Sequence, residues 1–98
     1  RRRTIVDGFR AAGLPTFEPE GAFYCFPDIR STGLNSEDFA QQLLEAEHVA
    51  VVPGDAFGPS GAGYVRCSYA NSLSNIQEAV KRITRFADKC HEHVRATS

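Results

Sequence analysis

The apolar and polar positions of this chain repeat with two different periods, which predict three helices and three strands. Apolar residues three and four positions apart, bounded by capping signals, predict the helices, over residues 1–13, 36–47 and 72–89. Short apolar runs bounded by turn residues predict the strands, over roughly residues 16–27, 49–53 and 63–69. We therefore predict an α+β fold: a small mixed, mainly antiparallel sheet of three to four strands, with the helices packed on one face.

Residues at the predicted helix ends support these boundaries. Gly13 ends the first helix. Asn35 or Ser36 can cap the second helix, and Ser72 can cap the third. The polar tail, residues 91–98, is expected to fray.

The first predicted strand is apolar on both of its faces. Ala22, Tyr24 and Phe26 alternate with Phe23, Cys25 and Pro27. A sheet covered by helices on one side only shows a polar second face. We therefore expect the second face to meet a partner chain or another part of the same protein. The four apolar residues 49–52 predict a strand that is buried on both faces.

Three arginines open the chain within the first predicted helix. Positive charge in a first turn opposes the helix dipole, so we expect this helix to continue upstream. A nucleic-acid-binding patch is the alternative interpretation of the three arginines, but a solvated helix face explains them more simply.

Composition and charge exclude several classes of function. A chain of 98 residues is one domain with a modest core. Its formal net charge of −1 gives no reason to expect a nucleic-acid partner. No apolar run approaches the roughly 20 residues that span a bilayer, so we expect no membrane and a cytoplasmic protein.

The metal-ligating residue types are few and widely spaced. Cys25, Cys67 and Cys90 form no Cys-x-x-Cys pair, and we interpret each as a small buried or half-buried hydrophobe. His91 and His93 are two positions apart, which does not place both on one helix face. We predict no metal site.

The loop over residues 54–63 contains four glycines and invites a phosphate-binding interpretation. It lacks the Gly-Lys-Ser/Thr ending of a P-loop and leads into a strand rather than a helix N-terminus. We interpret it as a compact surface loop.

One cation, Arg66, lies in the middle of the last predicted strand. Alternation places Val65 and Cys67 on one face and Arg66 on the other, with Tyr64 and Ser68. A guanidinium is suited to a bidentate pair with a carboxylate. On the pattern alone, that carboxylate could equally belong to one of the chain's own acids.

Four motifs, in this order and spacing, carry a family resemblance. They are Gly21-Ala22-Phe23-Tyr24, Val51-Val52-Pro53-Gly54, Phe57-Gly58 and Val65-Arg66-Cys67-Ser68-Tyr69-Ala70. With the helices around them, they resemble the C-terminal small domain of class I/II pyridoxal-phosphate-dependent aminotransferases. These are fold type I enzymes like aspartate aminotransferase.

The resemblance implies a function and its site residues. Arg66 would bind the α-carboxylate of an amino-acid or 2-oxo-acid substrate, and Phe23 would line the pocket. By the resemblance, the lysine that binds pyridoxal phosphate would lie in a large domain upstream. Lys81 and Lys89 are unsuited to that role, since both sit among charged residues of the last helix. Residues 1–98 would then be a domain with no catalytic or cofactor-binding residue of its own, inactive alone, from a homodimeric transaminase.

Two other classes of function stay open. The chain could be a stand-alone module that binds small carboxylates through Arg66, or an interaction domain in which Arg66 forms an internal ion pair. Within the resemblance, racemases, decarboxylases and carbon–sulfur lyases share the architecture. Residues outside this chain would distinguish those reactions and the substrate side chain.

Overall fold

A computed structural model describes residues 2–16, 24–68 and 73–97 of the chain. Within these ranges, regular secondary structure comprises three α-helices and three short strands. The helices are α1 (Arg2–Ala11), α2 (Ser36–Glu47) and α3 (Leu73–Thr97). The strands are β1 (Tyr24–Cys25), β2 (Val52–Pro53) and β3 (Val65–Ser68).

Strand β3 lies between the other two strands, and the order across the sheet is β1-β3-β2. Both pairings are antiparallel: Cys25 lies opposite Cys67, and Val52 lies opposite Arg66. The predicted α+β class is confirmed. The predicted count of three to four strands stays a prediction, because much of the first predicted strand falls in residues 17–23, outside the described ranges.

Residues 16–27 do not form one continuous sheet segment: within the described part of this range only Tyr24–Cys25 form a strand, inside the predicted strand at residues 21–26. Thr16 forms an antiparallel bridge with Pro27, and the Asp28 N–H donates to the Pro15 carbonyl at 2.8 Å, so residues 16 and 27 lie side by side rather than along one strand. Pro27 accepts a hydrogen bond from the Val65 N–H at 3.2 Å but has no N–H to return. Its missing donor is the physical reason that the regular ladder of β1 ends at Cys25.

The prediction that residues 49–52 are buried on both faces is also wrong. Ala50 is exposed, and Val49, Val51 and Val52 are half-buried. Val49 and Val51 pack against the core without joining the ladder, so β2 is a short edge strand.

Helix α2 is capped at both ends, and its N-cap is the predicted Asn35. The Asn35 side chain accepts a hydrogen bond from the Asp38 N–H at 2.7 Å. At the other end, His48 adopts the left-handed conformation, and its N–H donates to the Leu44 carbonyl at 3.0 Å. The predicted N-cap of the last helix, Ser72, lies outside the described residues.

The last helix does not fray at residue 91 as predicted, because α3 continues to Thr97. His91 and Val94 are half-buried in this extension. The His91 Nε2 lies 2.9 Å from the Ser31 hydroxyl, and Val94 packs close to Gly33. These contacts with the loop before α2 stabilise two more turns of helix.

The hydrophobic core lies between the three helices and one face of the sheet. Phe39 of α2 and Phe86 of α3 meet edge to face in it, with ring centroids 5.3 Å apart. Buried aliphatic and aromatic residues from every layer complete the core: Val6, Phe9, Leu14, Ile29, Leu43, Val65, Ile76 and Ile83.

Cys25 and Cys67 belong to this core and face each other across β1 and β3. A hydrogen bond between the Cys67 thiol and Cys25, then burial, raises the pKa of Cys67 well above its ordinary value. Burial also raises the pKa of Cys90, which is half-buried. The interpretation of Cys25 and Cys67 as buried hydrophobes is confirmed.

A buried acid joins α2 to α3. Glu47 is 6% exposed, and both of its carboxylate oxygens accept from the Arg85 Nε, at 2.9 and 3.1 Å. Arg82 donates to the Glu47 carbonyl at 3.1 Å. The hydrogen bonds from Arg85 are the main reason that the pKa of Glu47 is lowered.

Two adjacent leucines of α2 provide a matched test of this packing. Leu43 is fully buried, whereas Leu44 is 49% exposed. We expect Leu43→Ala to lower the free energy of unfolding by about 2–5 kcal/mol through lost contacts and a residual cavity. Leu44→Ala should change it by no more than about 0.5 kcal/mol. Urea unfolding of both variants measures the difference, and similar losses would contradict this assignment of the core.

The Glu47–Arg85 pair predicts a pH dependence of stability. The pKa of Glu47 is lower in the folded than in the unfolded chain, so its ionised form favours folding. That contribution is present above the unfolded pKa and is lost as the pH falls through the folded pKa. We expect Glu47→Gln to be destabilised at neutral pH and the gap to wild type to narrow in acid.

Unfolding curves recorded from about pH 7 down to about pH 3 test this expectation. Glu45→Gln, an exposed carboxylate on the same helix, controls for the loss of one negative charge. A gap between wild type and Glu47→Gln that stayed constant with pH would contradict the role of the ionised carboxylate.

Candidate functional site

Arg66 lies on the face of β3 that is turned away from the core. Its neighbours along the strand, Val65 and Cys67, are 1% and 6% exposed, whereas Arg66 is half-buried. Because side chains alternate along a strand, burial of these two neighbours directs Arg66 to the opposite face. The predicted placement of this cation is therefore confirmed.

The guanidinium of Arg66 packs over the ring of Phe57. Its central carbon lies 4.7 Å from the ring centroid, within the range of a cation–π contact. We call this pair the Arg66–Phe57 stack. Phe26 meets Phe57 edge to face, with centroids 6.4 Å apart and planes at 90°. Phe26 and Phe57 are 44% and 52% exposed, so this aromatic pair lies at the surface.

A concavity of about 340 Å³ opens beside the stack. Its wall is mainly apolar and comes from the end of β1, the glycine loop and the residue before β3: Phe26, Gly54, Phe57, Ser60, Gly61 and Tyr64. Concavities of this size with a few polar groups are typical of sites for small ligands.

Two short 3₁₀ turns, Gly54–Phe57 and Pro59–Gly61, shape the glycine loop. The Gly54 N–H donates to the Tyr64 carbonyl at 2.7 Å, which fixes the first turn against the start of β3. A Cβ atom on Gly54 would overlap the Gly61 carbonyl oxygen, so glycine is required for this close approach.

The amide groups of this loop are largely used within it. The Gly58 N–H donates to the Asp55 carbonyl at 3.2 Å, and the Gly61 N–H donates to the Gly58 carbonyl at 3.0 Å. These donors point into the turns rather than toward a phosphate. The geometry favours the interpretation that the loop supplies shape.

An ion pair between Arg30 and Asp28 lies next to Tyr64. Arg30 donates to both oxygens of Asp28, at 3.0 Å and 3.1 Å from Nε and 2.6 Å from Nη2, and its guanidinium lies 5.7 Å from the Tyr64 ring. The hydrogen bond to Arg30 is the main reason that the pKa of Asp28 is lowered. Because the two charges offset each other, this pair is structural.

The structure brings together residues that the sequence interpretation treated separately. Phe57 was identified as part of a motif, but its contact with Arg66 was not predicted. The available signal was an aromatic residue on a loop otherwise rich in small residues, where burial does not explain it. Phe23, the second predicted site residue, lies outside the described residues.

The described part of the chain holds neither a metal cluster nor a membrane span. No three His, Cys, Asp or Glu side chains within residues 2–16, 24–68 and 73–97 cluster as a metal site would require. None of the helices in the same ranges is long and apolar enough to cross a membrane.

Comparison with known proteins gives consistent matches. Residues 1–83 match the family model for aminotransferase class I and II. The chain is 54% identical over 89 residues to YugH of Bacillus subtilis, provisionally named an aminotransferase, and 47% identical over 85 residues to aspartate aminotransferase of Pyrococcus abyssi. These alignments cover 91% and 87% of the chain but 23% and 22% of the relatives.

A solved structure gives the same result for the fold. The aromatic aminotransferase of Pyrococcus horikoshii is 46% identical to this chain and superimposes with a TM-score of 0.87. The match covers 90% of this chain and 24% of that one. The chain therefore spans about a quarter of the length of the proteins that it resembles.

Pyridoxal phosphate is the cofactor that this family implies, and the lysines of this chain do not fit its covalent attachment. Lys81 and Lys89 both lie exposed on α3. A lysine that forms a Schiff base at neutral pH is typically held in a desolvated pocket. Neither lysine lies in such a pocket.

The close approach of the glycine loop yields a prediction. We expect Gly54→Ala to lower the free energy of unfolding by about 1–3 kcal/mol, because the added methyl group meets a backbone oxygen that cannot move independently. Ala56→Ser, at an exposed position of the same turn, should change it by less than about 0.5 kcal/mol. Thermal unfolding measures both, and a Gly54→Ala variant as stable as wild type would contradict the close contact between the two turns.

Proposed function

Because the chain belongs to the class I and II aminotransferase family, we propose that residues 1–98 are the C-terminal small domain of a pyridoxal-phosphate-dependent aminotransferase, in which Arg66 binds the α-carboxylate of the substrate. The substrates are an amino acid and a 2-oxo acid, which exchange an amino group. The large domain that holds the cofactor lies outside this chain.

The observation that carries the proposal is the position of Arg66. It is a half-buried cation on the face of β3 away from the core, and the ring it packs over, Phe57, lines an apolar concavity of about 340 Å³. A guanidinium binds a carboxylate through two parallel hydrogen bonds, which fixes the orientation of a small acid as well as its position. Partial desolvation at such a site strengthens the pairing relative to an exposed arginine.

The role of this domain is therefore binding and orientation. Fixing the α-carboxylate holds the reacting carbon in one place, and such positioning lowers the entropic part of a reaction barrier. Lys81 and Lys89 take no part, so the residue that binds the cofactor comes from the rest of the protein. Phe23 stays a second candidate for the pocket wall.

The remaining properties follow from the family and complete the proposal. The full-length protein is a homodimer, and it acts in amino-acid metabolism in the cytoplasm. The domain alone does not transaminate, because it has no lysine suited to the cofactor. Its open face, with Phe26 and Phe57 exposed, is covered in the full-length protein.

Substitution of Arg66 in the full-length protein tests the proposal. We expect Arg66→Ala to lower kcat/KM by about 100- to 1,000-fold, the effect of losing a charge-assisted bidentate pair. Arg66→Lys should fall between this variant and wild type, because an ammonium group cannot form the same pair. Arg95→Ala, at an exposed arginine near the end of α3, serves as the matched control and should retain wild-type kinetics.

Two results would contradict the proposal. Transaminase activity that survives Arg66→Ala unchanged would remove the carboxylate-binding role. A full-length product that binds no pyridoxal phosphate, but binds small carboxylates through Arg66, would instead identify the stand-alone binding module.

A further inference from the structure

The Arg66–Phe57 stack calls for an explanation because Phe57 lies outside the core of this domain and packs on a cation. Phenylalanine side chains that serve packing are usually buried, as Phe39 and Phe86 are here, at 1% and 6% exposure. Phe57 is 52% exposed, so its ring contributes less to the core than either of them. Its close neighbours are instead a cation, Arg66, and a second exposed ring, Phe26.

The backbone holds the Phe57 ring in a defined place. Phe57 ends the 3₁₀ turn Gly54–Phe57, whose first N–H is bonded to the Tyr64 carbonyl. Tyr64 lies two residues before Arg66, so the turn is fixed to the same strand that carries the cation. The contact between Gly54 and Gly61 closes the loop from its other side. The distance between ring and guanidinium is thus set by the backbone as well as by the two side chains.

Phe26 supports the ring from a neighbouring strand. The β1–β3 register, continued by one residue past Cys25 and Cys67, places Phe26 directly opposite Arg66. Its ring meets Phe57 edge to face at 90°, the arrangement that aromatic quadrupoles favour. Phe57 therefore contacts both a cation of β3 and the aromatic ring of the residue that follows β1.

Stacking and carboxylate binding use different parts of a guanidinium. The face of the group lies against an aromatic ring, whereas its N–H donors point outward along its edge. An arginine held by a ring can still form two hydrogen bonds with a carboxylate. Holding it also reduces the rotamer entropy that is lost when the ligand binds.

We propose that Phe57 is a positioning residue: its ring holds the guanidinium of Arg66 in the orientation that receives the α-carboxylate. This inference rests on the proposed function of Arg66. Phe57 itself contributes no hydrogen bond or proton to the reaction. It acts through Arg66.

Kinetics of the full-length protein test the proposal. We expect Phe57→Leu, which keeps an apolar side chain but removes the ring, to raise KM for the amino acid by about two- to fivefold with little change in kcat. A contact that stabilises the bound substrate and the transition state equally raises KM when it is removed and leaves kcat unchanged. Phe57→Tyr restores the ring and should restore KM, and Phe57→Trp should give a KM at or below that of wild type.

A double-mutant cycle separates positioning from a structural role. If Phe57 acts through Arg66, Phe57→Leu should cause no further loss of kcat/KM in an Arg66→Ala background. A loss of the same size in both backgrounds would overturn the proposal, because Phe57 would then act independently of Arg66. Thermal unfolding of Phe57→Leu should stay close to wild type, since leucine keeps an apolar side chain at a position outside the core of this domain.

The same experiment distinguishes the two proposals. If Arg66→Ala has no effect, the function proposed for Arg66 fails, and the role of Phe57 fails with it. If Arg66→Ala is severely impaired while Phe57→Leu matches wild type, the inference about Phe57 alone is overturned. If Phe57→Leu does not fold, a KM for Phe57→Trp or Phe57→Tyr well above wild type would overturn it instead.

Discussion

The position of Arg66 depends on the alternation of side chains along β3. Val65 and Cys67 are held in the core, and a shift of one residue in the register of this strand would exchange the two faces. Such a shift would expose two apolar side chains and move a guanidinium into the core, where an unpaired charge costs several kcal/mol or more. Packing of the core therefore fixes the face on which the cation lies.

The glycine loop is fixed to the same strand, and this sets the position of Phe57 relative to Arg66. The hydrogen bond between Gly54 and Tyr64, together with the contact between Gly54 and Gly61, ties the first turn of the loop to the start of β3. Phe57 follows in that turn and meets Arg66 from outside the sheet. The glycines thus act by allowing backbone segments to approach each other closely. The side chains proposed to bind or position the substrate are Arg66 and the aromatic rings beside it.

Local patterns in the sequence predicted the parts of the fold that local physics decides. The N-cap of α2 at Asn35, and the opposite faces of Cys67 and Arg66, follow from short-range rules. The bridge between Thr16 and Pro27 pairs residues that are distant in the sequence, so alternation along one segment could not predict it. The end of α3 was misplaced because charged residues dominate the tail, although the half-buried Cys90 and Val94 continue the helical spacing. The Arg66–Phe57 stack joins a loop to a strand, and no periodicity within either segment could predict it.

A crystal structure of the full-length protein with pyridoxal phosphate and an unreactive amino-acid analogue would test the central claim most directly. We expect the α-carboxylate of the analogue to accept two hydrogen bonds of about 2.7–2.9 Å from the Arg66 guanidinium. We also expect the Phe57 ring to stay against the face of that group. An analogue whose carboxylate is bound by another cation, with Arg66 paired to an acid of the protein, would contradict the account.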